Sequence, residues 1–192
     1  MDFNSLIAYG RRAMQLDVSF YQEAASNDSM TRDALNMVIV VAVLNGLGAF
    51  LGQLLGFNIL AAFAYLLVQT LLVVAGYYIA AYVTQYVGAA MFKGQGTQSQ
   101  MLRTLGFAYA PQVLGVFAFI PCVGGLISLV GSIWFLVCGF FAVRTTHRLT
   151  DGQAIITMIV AWLIVAVITV VVLTMVGIIV GVPAALLNMG GQ

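Results

Sequence analysis

Residues 104–143 of the chain read TLGFAYAPQVLGVFAFIPCVGGLISLVGSIWFLVCGFFAV and contain no Asp, Glu, Lys or Arg. One membrane-spanning helix needs about 20 apolar residues, so this stretch is long enough for two of them. The sequence PCVGG at residues 121–125 interrupts it. Proline followed by paired glycines is typical of a turn between helices. The stretch therefore predicts two transmembrane helices joined by a short turn.

The rest of the chain has the same apolar character. Of its 192 residues, 62% are hydrophobic and only 7% are charged, whereas a soluble domain has about 25% charged residues. Residues 35–92 and 152–192 also lack all four charged residue types, and the sequence GFN at residues 56–58 divides the first of these stretches. We therefore predict an all-α, polytopic membrane bundle with five transmembrane helices. The predicted spans are residues 35–56, 59–86, 104–121, 124–143 and 154–182.

The basic residues are distributed very unevenly about these spans. All seven lie in the N-terminal region, between the second and third spans, or between the fourth and fifth spans, which are on one face of a five-span protein. They are Arg11, Arg12, Arg32, Lys93, Arg103, Arg144 and Arg148. Because cytoplasmic loops are enriched in Lys and Arg, we expect a multi-pass protein of the cell membrane with a cytoplasmic N-terminus and an outer C-terminus.

Residues 1–33 precede the five-span domain, residues 34–192, and form an amphipathic segment. As a helix, residues 3–16 would place their apolar side chains on one arc and their polar ones on the other. Such a helix can lie on the cytoplasmic surface of the membrane or fold back onto the bundle. The sequence leaves both alternatives open.

Catalysis is not expected. His147 is the only histidine, and every acidic residue lies outside the predicted spans. A zinc site usually needs three or four Cys, His or carboxylate ligands, so we expect no catalytic residues, no metal and no cofactor. The formal net charge is only +1, which argues against a nucleic-acid partner because phosphate binding needs a basic surface.

Uncharged polar residues do occur within the spans. Amide side chains in membranes most often form hydrogen bonds between helices, but they can also line a polar groove. A cavity bounded by Gln69, Gln85 and Gln112 would favour a transporter. The amide residues of the spans are Asn45, Gln53, Gln69, Gln85 and Gln112.

Glycines recur at four-residue spacing on two spans. Such small-residue ridges allow two helix backbones to approach closely. Packing within the chain is the usual use of a ridge, and contact with a partner chain is the alternative. The predicted packing residues are Gly48, Gly52 and Gly56 on the first span and Gly177 and Gly181 on the fifth.

The sequence RTTHRLTDGQAI, residues 144–155, is the last place where charge occurs. Thr150 and Gln153 fit a capping box at the start of the fifth span. Arg144, His147 and Arg148 are candidates either for an anchor at the cytoplasmic headgroups or for a partner surface. The anchor is favoured, although neither capping nor charge requires His147.

Several features between residues 105 and 155 resemble the Yip domain. They are YAP at residues 109–111, IPCVGGLISLVGSIW at residues 120–134, and His147 followed by Leu149 and Ala154. The sequence FYQEA at residues 20–24 is similar to the prokaryotic branch. The acidic-aromatic motif and long N-terminus of eukaryotic members are missing, so their link to Rab GTPases is not carried over. The resemblance implies five spans, a cytoplasmic N-terminus, and association with other membrane proteins or with bilayer shape.

These patterns together predict a non-enzymatic integral membrane protein. We expect it to contact the lipid bilayer and other integral membrane proteins, as a scaffold, assembly factor or accessory subunit of a larger complex. A transporter or channel for a small neutral or weakly polar substrate is the alternative. The sequence does not indicate an oligomeric state.

Overall fold

The computed structural model of the protein describes residues 3–54 and 59–189, with the side chains of residue 173 and residues 176–189 left out. The described residues are almost entirely helical. The α-helices are α1 Phe3–Met14, α2 Val18–Ser26, α3 Thr31–Leu54, α4 Ile59–Phe92, α5 Gln98–Ala108, α6 Gly124–His147 and α7 Asp151–Met189. Two 3₁₀ helices, Asp28–Met30 and Ala110–Phe119, precede α3 and follow α5 respectively.

Four helical segments within the described residues are long and apolar enough to cross a membrane. They correspond to the first, second, fourth and fifth predicted spans. They are Asp28–Leu54, Ile59–Phe92, Gly124–His147 and Asp151–Val172. The prediction of an all-α, multi-pass membrane bundle is confirmed. α4, α6 and α7 extend beyond their predicted ends, and α7, predicted over residues 154–182, runs from Asp151 to Met189.

The third predicted span, residues 104–121, is not one continuous α-helix. α5 starts earlier, at Gln98, and ends at Ala108, after which Ala110–Phe119 forms a 3₁₀ helix. Pro111 explains the change, because proline lacks a backbone N–H and its ring clashes with the carbonyl four residues earlier in an α-helix. A 3₁₀ helix of ten residues is unusual, since most are only three or four residues long.

α5 and the long 3₁₀ helix together run antiparallel to α6. The Thr104 and Thr146 hydroxyls are 2.7 Å apart near one end, and the rings of Tyr109 and Phe135 are 4.7 Å apart further along. We call the end that contains the Thr104–Thr146 contact the proximal end. α3 and α7 begin there, and α4 and α6 end there. The other end is the distal end.

The N-terminal helices fold back onto the proximal half of the bundle. Leu6, Phe20 and Tyr21 are buried there. The Trp134 indole N–H donates to the Met14 carbonyl at 2.9 Å, which ties the end of α1 to the middle of α6. Of the two alternatives for this segment, the structure favours packing on the bundle. The outer face of α1 nevertheless exposes Phe3 and other apolar side chains.

The outer surface differs between the two halves of the bundle. Distal parts of α3, α4 and α6 expose bulky aliphatic and aromatic side chains, whereas the proximal half of α4 exposes a row of tyrosines. Tyrosine is enriched where a membrane meets water, so the tyrosines indicate that the proximal end lies toward an aqueous face. The exposed tyrosines of this row are Tyr78, Tyr82 and Tyr86.

Candidate functional site

A buried arginine joins the N-terminal helices to the bundle. The Arg103 side chain is only 3% exposed and forms an ion pair with Asp28 at 2.6 Å. Its guanidinium also donates to the carbonyls of Ala24 and Ala25, both at 2.9 Å. These carbonyls belong to the last turn of α2, where backbone oxygens have no partner within the helix. Arg103 therefore caps α2 and holds it against α5.

His147 lies inside the bundle at the proximal end. It is 1% exposed, and its ring fills a space left by two glycines, Gly88 on α4 and Gly94 in the following loop. A Cβ atom added to Gly88 would come within 2.7 Å of the imidazole Nε2. The backbone carbonyl of His147 also accepts a hydrogen bond from the Gln95 N–H at 3.3 Å. His147 thus joins α6 to the loop after α4, and it is not on the surface that we considered from the sequence.

A polar cavity of about 620 Å³ opens beside His147, between α2, the start of α5 and the end of α6. Two of the predicted residues, Arg144 and Arg148, line it. The remaining lining residues are uncharged, and they are Val18, Gln22, Ala25, Ser26, Gln95, Gln100, Thr145, Thr146 and Leu149. We call this space the proximal cavity.

The two arginines of the proximal cavity have different environments. Arg144 is paired with Asp151 at 2.6 Å and is partly exposed. Arg148 ends α6 in the left-handed backbone conformation, with φ of 54°, and its N–H donates to the Arg144 carbonyl. Gln153 accepts a hydrogen bond from the Thr150 N–H at 3.1 Å, which is half of the predicted capping box. A complete capping box occurs instead at Thr97 and Gln100, where we had not predicted one.

Charged side chains of α1 and α2 form a second cluster in the proximal half of the bundle. Arg12 contacts Asp17 at 3.0 Å and Glu23 at 2.9 Å, and its guanidinium lies 4.9 Å from the centre of the Phe20 ring. The Ser19 hydroxyl and Arg12 lower the pKa of Asp17 to about 2. Asp17 therefore stays ionised at neutral pH, where its side chain caps α2 by accepting from the Phe20 N–H.

A second polar space lies in the distal half, among the membrane-spanning helices. It has a volume of about 510 Å³ and is bounded by α3, α4, the long 3₁₀ helix and α6. The Asn45 side chain bonds the Gln112 carbonyl at 3.2 Å across one wall. Gln85 is not part of this groove, because its amide donates to the Gly96 carbonyl at 2.7 Å near the proximal end. The polar side chains that line the groove are Asn45, Gln53, Tyr65, Gln69, Gln112 and Ser128.

The glycine ridge of α3 faces the long 3₁₀ helix. A Cβ atom at Gly48 would lie 2.5 Å from the Val116 carbonyl oxygen, whereas one at Gly52 would lie 3.5 Å from the nearest atom, on Phe119. The two backbones therefore approach more closely at Gly48 than at Gly52. The other residues predicted to form ridges, Gly56, Gly177 and Gly181, lie outside the residues whose surroundings the structure describes.

The remaining chemistry-bearing side chains are dispersed. Cys122 is exposed and Cys138 is buried, and both are free thiols. Over residues 3–54 and 59–189, no three His, Cys, Asp or Glu side chains come together in a way that could hold a metal ion. The arrangement thus offers two polar cavities and several close helix contacts as its distinctive features.

Comparison with known families agrees with this architecture. Residues 18–173 match the Yip1 domain, a range that runs from the start of α2 through the long apolar part of α7. The chain belongs to the Yip1 domain family. The resemblance seen in the sequence is thereby confirmed at the level of the family. No curated protein and no solved structure matches the chain significantly.

Proposed function

We propose that this Yip1 domain protein is a non-enzymatic, five-span protein of a prokaryotic cell membrane that acts by lateral association with other integral membrane proteins. Besides the four long apolar helices, α5 and the 3₁₀ helix that follows it form one more crossing, the third along the chain. Eleven α-helical residues rise about 16 Å at 1.5 Å each, and ten 3₁₀ residues rise about 20 Å at 2.0 Å each. The first residues of α5 are polar and lie at the proximal end, so the apolar remainder of the two helices comes close to the roughly 30 Å of a hydrocarbon core.

The proposed orientation rests on the position of the basic residues. Each of them belongs to an element of the proximal end, where α1 and α2 pack against α5 and α6. The positive-inside rule makes that end cytoplasmic. The turn between the 3₁₀ helix and α6, residues 120–123, then faces the outside of the cell.

Thiol labelling of intact cells tests this orientation. We expect a membrane-impermeant maleimide to label native Cys122, which is exposed at the distal turn. A Gln95→Cys variant in a Cys122→Ser background should stay unlabelled until the cells are permeabilised, because Gln95 is exposed at the proximal end. Labelling at position 95 in intact cells would contradict a cytoplasmic proximal end.

The exposed apolar face of α7 supports lateral association with another membrane protein. α7 contacts mainly α4 and α6, and its other side exposes bulky apolar residues from Ile155 to Met175. Between α6 and α7 lies a groove of about 530 Å³ with an entirely apolar lining, which includes Phe140, Met158 and Trp162. A hydrophobic helix of another protein fits a surface of this kind, because helices in lipid associate by close packing of their side chains.

Site-specific crosslinking tests the association. A photoreactive amino acid at Ile159, which is 55% exposed on α7 and lines the same groove as Trp162, should give a discrete protein adduct in native membranes. Leu71, which is 69% exposed on α4, is the matched control and should react with lipid only. Trp162→Ala should reduce recovery of the crosslinked protein after mild extraction by roughly tenfold, as for a large buried aromatic contact. Lipid adducts alone at both positions would contradict the proposal.

The distal groove favours transport of a small neutral substrate as the second candidate. Gln69 and Gln112 line it together, as a polar pathway requires, but Gln85 does not. Ionisable groups usually mark ion and proton pathways at membrane depth, and no Asp, Glu, Lys or Arg lines this groove. Lateral association remains the better-supported function, because Asn45, Thr70 and Tyr77 use their polar groups in bonds between helices of this chain.

A further inference from the structure

The proximal cavity combines a net positive charge with uncharged hydrogen-bonding groups. Its lining contains two arginines and no carboxylate. Asp151 neutralises Arg144 through the Arg144 Nε atom, which leaves the two terminal nitrogens of that guanidinium for a ligand. Within the part of the chain that the structure describes, the Arg148 guanidinium has no ion-pair or hydrogen-bond partner. Arg144 thus has two guanidinium nitrogens available to a ligand, and Arg148 has its whole guanidinium group available.

The helix ends around the cavity add little to the charge of its arginines. The first turns of α2 and α5 reach the lining at Val18 and Gln100, and they are already capped by Asp17 and by the Thr97–Gln100 capping box. Two of the last four carbonyls of α6 are also occupied. The Arg144 carbonyl accepts from the N–H groups of Arg148 and Leu149, and the His147 carbonyl accepts from Gln95.

We propose that the proximal cavity binds a phosphate group, carried either by an anionic lipid or by a soluble phosphate ester. Phosphate oxygens accept paired hydrogen bonds from a guanidinium. Gln22, Gln95 and Thr145, neutral donors that also line the cavity, can bind the oxygens that remain. A volume of about 620 Å³ falls in the range of small-molecule sites.

The position of the cavity relative to the membrane makes a lipid headgroup accessible to it. Asp151, which pairs with Arg144, begins α7, and the exposed apolar face of that helix starts only four residues later at Ile155. The cavity therefore lies where the apolar surface ends, which is the level of lipid phosphates. Exposed Gln22 and Gln95 keep it open to water as well. Lateral association through α7 is not needed for this site, so the two proposals can fail independently.

Titrations with the purified full-length protein in detergent test the site. The probes are dioctanoyl phosphatidic acid, glycerol 3-phosphate, and dioctanoylglycerol, which lacks the phosphate. Binding is measured from the shift in thermal unfolding and by native mass spectrometry. Arg148→Gln should weaken phosphate binding by about tenfold or more, the effect of losing one charge-assisted contact. Gln22→Glu, which brings a negative charge into the cavity, should weaken it similarly.

Arg32→Gln is the matched control, since Arg32 is an exposed arginine at the same end that does not line the cavity. It should change the affinity by less than about twofold. Tighter binding of phosphatidic acid than of glycerol 3-phosphate would assign the phosphate to a lipid, and equal binding would assign it to a soluble ester. The proposal is overturned if neither phosphate probe binds, if dioctanoylglycerol binds as tightly, or if Arg32→Gln weakens binding as much as Arg148→Gln.

Discussion

Gly48→Ala is expected to destabilise the protein by about 3 kcal/mol, the upper end of the cost of inserting one methyl group into a packed interior. The added Cβ would lie 2.5 Å from the carbonyl oxygen of Val116 and 3.0 Å from its carbonyl carbon. Both are backbone atoms of the long 3₁₀ helix, so no side-chain rotation can relieve the clash. α3 and the 3₁₀ helix would have to move apart.

Two further glycines of the membrane-spanning helices provide controls. Gly52→Ala should be tolerated, because its Cβ would meet Phe119 at 3.5 Å, an ordinary contact distance. Gly76→Ala should be neutral or slightly stabilising, since no atom lies within 4 Å of the added Cβ and alanine is the better helix former by about 1 kcal/mol. The measurement is the midpoint of thermal unfolding in detergent. Equal midpoints for the Gly48 and Gly52 variants would show that the 3₁₀ helix does not pack on α3 in this way.

The membrane-spanning helices could be predicted because a hydrocarbon layer restricts which sequences and which backbone conformations can cross it. Backbone groups in a hydrocarbon layer must bond within their own helix, so a long charge-free stretch such as 59–92 has few other options. The conformation of residues 104–121, the third predicted span, was harder to predict. Pro111 signalled a break, but the conformation beyond it depends on contacts with α3 and α6, which are distant in sequence. A 3₁₀ segment is stable here because its neighbours hold it, not because its sequence prefers it.

The glycine ridge was predictable in kind but not in detail. The four-residue spacing of Gly48 and Gly52 predicted a small-residue face, and both positions face the long 3₁₀ helix. It could not show that the two positions differ in closeness to their neighbour, because that difference depends on how the 3₁₀ helix crosses α3. Sequence spacing gives a helix face, whereas the distance to the facing backbone requires the structure.

The proximal end was the least predictable region. His147 was considered for a surface because its neighbours Arg144 and Arg148 are charged, and the structure places it inside, against Gly88 and Gly94. The signal for this contact is divided between two distant segments, so it has no local pattern. The capping box at Thr97 and Gln100 did have a local signal, the T-x-x-Q spacing, and a scan for it would have located the start of α5.

The buried contacts of Arg103 could not be predicted from a count of basic residues. From the sequence, it was one of seven basic residues that set the orientation. In the structure its side chain is buried and its partners are 4 to 79 residues away in sequence, on α2, the short 3₁₀ helix Asp28–Met30, α3 and α5. Distance along the chain hides such a contact from any local pattern. The residue that was counted as a predictor of orientation also holds α2 against α5.

Arg103→Leu is therefore expected to lower stability by on the order of 3 kcal/mol. One buried and one partly buried carbonyl of α2, those of Ala24 and Ala25, would lose a charged donor, and each such loss costs about 1–3 kcal/mol. Asp28→Asn is the informative control. It removes the ion pair but keeps those carbonyl bonds, and since Asp28 is 90% exposed its loss should cost at most about 1 kcal/mol.

Arg103→Lys should fall between the two, as an ammonium group does not reproduce the paired donors of a guanidinium. Limited proteolysis gives a readout specific to α2. In Arg103→Leu, cleavage between α2 and α3 should increase well before the membrane-spanning helices unfold, because α2 loses its cap while α3 and α4 keep their contacts. If Asp28→Asn is as damaging as Arg103→Leu, the ion pair and not the carbonyl cap holds α2 in place. If neither change affects cleavage, α2 is held by its apolar face alone, through Phe20 and Tyr21, both of which are fully buried.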